Sequence, residues 1–123
     1  MDTKKKVLYI EDNEQNLYLV TFLLTKHGYE VISARDGRAG IAAAVHDKPD
    51  LILLDIQLPS MDGYAVAQSI RSISDLSRVP IIAVTSYAMV GDREKALESG
   101  CTGYIEKPID PDTFVTQVER YLP

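Results

Sequence analysis

Carboxylates, hydroxyls and a lysine recur in one kind of place along this chain. Glu11-Asp12 follows the apolar run Val7-Leu8-Tyr9-Ile10, and Asp55 follows Leu51-Ile52-Leu53-Leu54. Thr85-Ser86 follows Ile81-Ile82-Ala83-Val84, and Lys107-Pro108 comes just after the weaker run Gly103-Tyr104-Ile105. Short apolar runs rich in β-branched residues suit strands covered on both faces. If such strands lie parallel in one sheet, the residues that follow them gather on one rim, where open α/β sheets bind ligands. Two unit charges about 4 Å apart repel by about 4 kcal/mol at an effective dielectric of about 20. Three carboxylates on that rim need more neutralisation than one lysine supplies. A divalent cation provides it, and hard oxygen ligands favour Mg2+ or Mn2+. A metal, a nucleophilic carboxylate, a hydroxyl donor and a fixed cation are the parts that phosphoryl transfer to an aspartate requires.

The elements that must position these groups are legible in the spacing. Glu30 to Ala34 supplies a further strand, ending in Arg35-Asp36, which reads as a helix cap rather than a site. Between the strands the apolar period becomes helical. Leu17, Val20, Leu23 and Leu24 mark a first helix, closed at Gly28; Ile41, Ala44 and Val45 mark a second, opened by Asp36. Val66, Ala67, Ile70 and Ile73 mark a third, and Met89, Arg93, Ala96 and Leu97 a weaker fourth, stopped at Gly100. Phe114, Val118, Tyr121 and Leu122 mark a fifth, expected to open at Asp110-Pro111. Strand–helix alternation of this kind predicts an α/β fold, a (βα)5 doubly wound five-stranded parallel sheet with right-handed crossovers.

Length and composition agree. The 123 residues read as a single domain, 1–123, with no internal linker or repeat. Acidic residues outnumber basic ones 18 to 13, giving a net charge of −5, which argues against nucleic acid or an anionic membrane as the main partner. Cys101 has no second cysteine to pair with, which excludes an internal disulfide and fits a reducing, cytoplasmic setting. No apolar run approaches the roughly 20 residues needed to span a bilayer. Lys4 to Lys6 read as a solvated leader to the first strand, because no signal-type apolar segment follows them.

Taken in order, Ile10-Glu11-Asp12-Asn13, then Leu54-Asp55 through Pro59-Ser60-Met61-Asp62-Gly63, then Val84-Thr85-Ser86 and Glu106-Lys107-Pro108 resemble the receiver domain of bacterial two-component response regulators. The resemblance covers essentially the whole chain. Within this CheY-like superfamily it is similar to DivK-like single-domain receivers and to receivers attached to hybrid histidine kinases. It implies the flavodoxin-like strand order 2-1-3-4-5. It implies that Asp55 accepts a phosphoryl group from a histidine kinase or a histidine phosphotransfer protein, with Mg2+ held by Glu11, Asp12, Asp55 and the backbone carbonyl of Gln57. Thr85 would donate its hydroxyl to the phosphoryl group, Lys107 would pair with it, and N–H groups around Gln57 and Ser86 would complete the cradle. Pro108 would be the cis-linked proline that follows the lysine. Tyr104 would swing inward as Thr85 engages the phosphate, changing the face of helix four, strand five and helix five for docking of a downstream effector protein. Gln57 and Tyr87 would flank the phosphoryl position. Two departures stand out: Glu11 where many receivers have Asp, and Ser86 where alanine is frequent, which narrows access.

Each residue also has a plainer reading. Glu11-Asp12 could serve a helix N-terminus, Asp55 a turn, Thr85 a strand end and Lys107 a solvated loop, and Tyr104 could be sheet filling. Asp62-Gly63 reads as a turn and helix start, Cys101 as a packing residue, and Tyr18 and Tyr29 as packing or surface residues. His27 and His46 fall near helix C-termini, with no acid–base partner in sequence. Two other function classes compete. A Mg2+-dependent aspartyl-phosphate phosphohydrolase would want a second Asp two residues past the nucleophile, where Gln57 stands. A nucleotide binder would want a Gly-rich loop after the first strand, where carboxylates stand instead.

Overall fold

The computed structural model describes residues 4–58, 61–86 and 91–122. Among these residues five strands alternate with five helices. In chain order they are β1 (Lys6–Ile10), α1 (Glu14–Lys26), β2 (Glu30–Ala34), α2 (Gly37–Asp47) and β3 (Leu51–Asp55), then α3 (Gly63–Arg71), β4 (Ile81–Thr85), α4 (Asp92–Glu98), β5 (Gly103–Glu106) and α5 (Phe114–Glu119). A short 3-10 turn, Ser74–Leu76, lies between α3 and β4. The strands pair in parallel in the order β2-β1-β3-β4-β5. Strand order therefore reverses between β1 and β3, which leaves a crevice beyond their carboxyl ends.

Strand alternation builds two cores. Leu8, Ile10, Ile52, Leu54, Ile81 and Ala83 face Val66, Ala67 and Ile70 of α3 and Ala44 of α2. Val7, Tyr9, Leu51, Leu53, Ile82 and Val84 face Leu17, Val20 and Leu24 of α1 and Phe114 and Val118 of α5. Every residue of β3 and β4 is buried. Burial at this level stabilises by about 1.5–3 kcal/mol for each large aliphatic side chain, and it fixes the register that brings the strand ends level. Asp55 is the last residue of β3, beside Val84 of β4, and Thr85 is the last of β4, beside Glu106.

The helix boundaries follow local chemistry. Asn13 Oδ1 accepts the Asn16 N–H at 2.9 Å to open α1, and Gly28 leaves that helix with φ +91°. Asp36 opens α2 by accepting the Ala39 N–H at 2.8 Å, as expected. Asp62 accepts the Tyr64 N–H at 3.0 Å at the start of α3. There Gly63 lies so close to the chain leaving β3 that a Cβ would sit 2.5 Å from Ile56 Cα. That approach holds the segment following Asp55 against the helix.

The structure differs from the spacing at several helical positions. Val45 and Leu97 are exposed rather than buried. In α2 the buried stripe is Gly37, Gly40 and Ala44, with Gly40 set tightly on Ile10. Val45 is one residue, about 100°, round from that stripe. Ile73 lies beyond the end of α3, although it still packs on the core. Helix α5 begins at Phe114, not at Asp110-Pro111. Asp110 Oδ1 accepts the Asp112 N–H at 2.9 Å, and its carbonyl accepts the Thr113 N–H at 3.2 Å, so Asp110 caps a preceding turn. Met89 and Tyr87 lie outside the described residues.

Arg71, the last residue of α3, ties the α3–β4 and α4–β5 connections together. Its guanidinium donates to the carbonyls of Gly100 (2.9 Å), Leu76 (3.0 Å) and Val79 (2.6 Å), and to Thr102 Oγ1 (3.2 Å). Arg71→Ala leaves the carbonyls of Gly100 and Val79 without this donor and weakens the holds on Leu76 and Thr102, and is expected to lower stability by about 2–3 kcal/mol. Urea unfolding should show a lower midpoint at unchanged slope. A midpoint equal to wild type would mean that water replaces the guanidinium at no cost.

Candidate functional site

The crevice at the carboxyl edge of the sheet collects side chains from four segments. Glu11 and Asp12 occupy the turn between β1 and α1, and a Glu11 N–H to Ala34 carbonyl bond (2.9 Å) extends the β1–β2 ladder to hold it. Asp55 ends the central strand β3. Thr85 ends β4, and the Lys107 N–H donates to the Thr85 carbonyl at 2.8 Å, which carries the β4–β5 pairing as far as the lysine. The Lys107–Pro108 peptide is cis, as the resemblance implied. Glu11, Asp55 and Thr85 are buried, Asp12 is exposed, and the Lys107 side chain is only 14% exposed.

The distances define an acidic cleft. One carboxylate oxygen from each of Glu11, Asp12 and Asp55 lies within 4.8 Å of the others. Lys107 Nζ is 2.8 Å from Glu11 Oε1 and 3.6 Å from Asp55 Oδ2. The Gln57 N–H donates to Asp55 Oδ1 at 2.9 Å. Glu11 Oε1 receives three donors: the Tyr9 hydroxyl at 2.9 Å, Asn16 Nδ2 at 3.0 Å and Lys107 Nζ. Its other oxygen, Oε2, is buried and has no donor among the described residues.

Charge is divided unequally between the buried carboxylates. Burial raises the Asp55 carboxyl, and the adjoining Glu11 raises it further, against the weaker pull of the Gln57 N–H and of Lys107. Burial acts the same way on Glu11, but the neighbouring Asp55 carboxyl and the Lys107 ammonium outweigh it and hold Glu11 below the usual carboxylate range. Glu11 has the closer donors and keeps the charge; Asp55 bears the desolvation. The Tyr9 phenol, pushed far up first by burial and then by Glu11, stays protonated and acts as a donor. Among the described residues, one ammonium thus faces three carboxylates.

That set fits a hard divalent cation. The donors are all oxygen, one is solvent-exposed for exchange, and a buried carboxylate oxygen stands without a partner among the described residues. The structure brings together the predicted Glu11, Asp12, Asp55, Thr85 and Lys107. Ser86 and Gln57 meet at the edge, where Ser86 Oγ donates to Gln57 Oε1 at 2.7 Å. This bridge ties the residue two past Asp55 to the residue one past Thr85. Tyr104 is half-buried on β5 and packs against the α3-side core. Its phenol is raised by burial, then by the charges of Asp92 and Glu106 and by Tyr64. Tyr9 and Asn16 are site residues that the motif reading passed over. Their signal was present: Tyr9 shares a strand face with Glu11, two residues on, and Asn16 lies in the first turn of the helix that follows.

A doubly wound α/β domain with this acidic cleft at its switch point is of the receiver class of two-component signalling. The family described as response regulator receiver domain matches residues 7–119, and the chain belongs to it. It is 42% identical over 118 residues to the polar-differentiation response regulator DivK of Brucella anthropi, covering 96% of each chain. Its fold superposes on the chemotaxis response regulator CheY4 of Vibrio cholerae with a TM-score of 0.93 at 30% identity, covering 98% of this chain and 100% of that one. It also superposes on the receiver domain of a sensor histidine kinase from Pseudomonas aeruginosa, with a TM-score of 0.88 at 34% identity, covering 97% and 98%. That receiver was solved with a magnesium ion coordinated in its active-site cleft. The chain is therefore a phosphorelay receiver domain, a signalling module and not a classical enzyme, and the phosphohydrolase alternative is not favoured. Receivers work with histidine kinases and phosphotransfer proteins and bind Mg2+ at an acidic pocket. Among the described residues no helix is long and apolar enough to cross a membrane.

Proposed function

We propose that Asp55 is the phosphoryl acceptor of this receiver. The observation that carries the reading is the burial of Asp55 at the end of the central strand, with an ammonium 3.6 Å from Oδ2 and two further carboxylates beside it. A carboxylate oxygen of Asp55 attacks the phosphorus of a phosphohistidine on the partner. The O–P bond forms as the N–P bond breaks, and the electron pair returns to the imidazole, which is protonated from solvent. A Mg2+ ion, or Mn2+, bound by Glu11, Asp12, Asp55 and the Gln57 carbonyl would supply positive charge against the phosphoryl oxygens. Lys107 turns from Asp55 to the new phosphoryl oxygens, and the Thr85 hydroxyl and the Ser86 N–H donate to them. Pro108 shapes the turn that presents Lys107.

The readout follows from the same positions. Thr85 moves toward the phosphoryl group and Tyr104 follows inward. The surface of α4, β5 and α5 changes, and an effector protein docks there. The histidine-bearing partner approaches past α1, where Tyr18 and Phe22 stand exposed. The module comprises residues 1–123 and works in the cytoplasm, with no direct contact to nucleic acid or membrane.

Incubation with acetyl phosphate, and with a panel of phosphorylated histidine kinases, tests this reading. Label should enter in Mg2+ and fall by at least about 100-fold when chelator is present from the start. Equal labelling in chelator, or steady release of phosphate from a small phosphomonoester, would contradict it.

A further inference from the structure

We infer that Tyr9 is a positioning residue for the cation site, because it holds the Glu11 carboxylate in the one orientation that leaves Oε2 to a divalent ion. The inference rests on the reading of the cleft as a Mg2+ site and extends it to a residue outside the acidic cluster. Tyr9 is wholly buried between the sheet and the α1 and α5 helices, yet it carries a hydroxyl. A buried hydroxyl needs a partner, and its partner is Glu11 Oε1 at 2.9 Å. Asn16 Nδ2 and Lys107 Nζ reach the same oxygen at 3.0 and 2.8 Å. Three donors from β1, α1 and the segment after β5 therefore converge on Oε1. Oε2 receives none among the described residues, although it is equally buried.

An unpartnered buried carboxylate oxygen is costly unless something positive is meant for it. Glutamate has one more rotatable bond than aspartate, so its carboxylate needs more fixing to serve as a cation ligand, directly or through water. The phenol supplies that fixing from two residues upstream on the same strand face. This is the outer-shell role that orients ligands at metal sites, where removal of the partner weakens metal affinity by about tenfold or more.

The test is a cycle in the full chain. Tyr9→Phe keeps the ring and removes only the hydroxyl; Glu11→Asp shortens the carboxylate by one methylene and withdraws it from the phenol. Mg2+ binding is measured by calorimetric titration on wild type, Tyr9→Phe, Glu11→Asp and the double variant. Tyr9→Phe should weaken Mg2+ binding about tenfold in the Glu11 protein and less than about twofold in the Glu11→Asp protein. Phosphorylation of Tyr9→Phe by acetyl phosphate should need about tenfold more Mg2+ for half-maximal rate. Equal affinity of Tyr9→Phe and wild type would overturn the inference, as would equal loss in both backgrounds. Absence of Mg2+ binding by wild type would overturn the cleft reading and this one together. If Tyr9→Phe does not fold, Asn16→Ala removes another donor to the same oxygen from a half-buried helix position. It should also weaken Mg2+ binding, and unchanged affinity there would overturn the inference.

Discussion

Asp55→Asn is expected to take up no phosphoryl group from acetyl phosphate or from any phosphorylated kinase, a loss of at least about 100-fold in label, while folding normally. The amide keeps the shape and the acceptor oxygen that receives the Gln57 N–H. It has no anionic oxygen to attack phosphorus. The same change removes a carboxylate that burial and Glu11 together disfavour as an anion. In chelator the variant should therefore match or exceed wild-type stability, by up to about 1 kcal/mol. In Mg2+ the order should narrow, because wild type gains from binding and the variant has lost one ligand. Thermal unfolding in chelator and in Mg2+, run beside the labelling assay, checks both halves. Label on Asp55→Asn equal to wild type would place the acceptor elsewhere.

Lys107→Ala should have the largest effect on the fold itself. The ammonium is 2.8 Å from Glu11 and 3.6 Å from Asp55, and both carboxylates are buried. Removing it leaves the Glu11 carboxylate and the neighbouring Asp55 carboxyl in a low-dielectric cleft without their cation. Breaking a buried pair from one side costs about 3–5 kcal/mol. The loss should be greatest in chelator and smaller in Mg2+, because a divalent ion replaces part of the missing charge. Urea unfolding at both conditions measures the difference. A variant as stable as wild type in chelator would show that the cleft is wet enough to screen its carboxylates, and the argument from charge crowding would fail with it.

The parts of this molecule that were legible beforehand share a cause. Unbroken apolar runs such as Leu51 to Leu54 admit few placements, and the residue after such a run in a parallel sheet must lie on the carboxyl rim. Asp55, Thr85 and Glu11-Asp12 were located by that geometry. What escaped was set by packing. The narrow Gly37–Gly40–Ala44 stripe turned Val45 to solvent, because Gly40 lets α2 settle on Ile10, and no helical periodicity reports so close an approach. Asp110 has the right side chain for a cap, but its Asx-type bond to the Asp112 N–H builds a turn first and delays α5 to Phe114. In the site, Tyr9 read as core because it is core. That its hydroxyl reaches Glu11 depends on a rotamer, and the motif gives residue types without rotamers.

The crowded carboxylates should make Asp55 the one side chain to be phosphorylated, as an acyl phosphate. Phosphorylated protein, reduced with borohydride and digested, identifies that residue directly, because an aspartyl phosphate becomes homoserine. Protein labelled in Mg2+ should give homoserine at position 55 and nowhere else. Homoserine at Asp12, or phosphate recovered on His27 or His46 with position 55 intact, would contradict it.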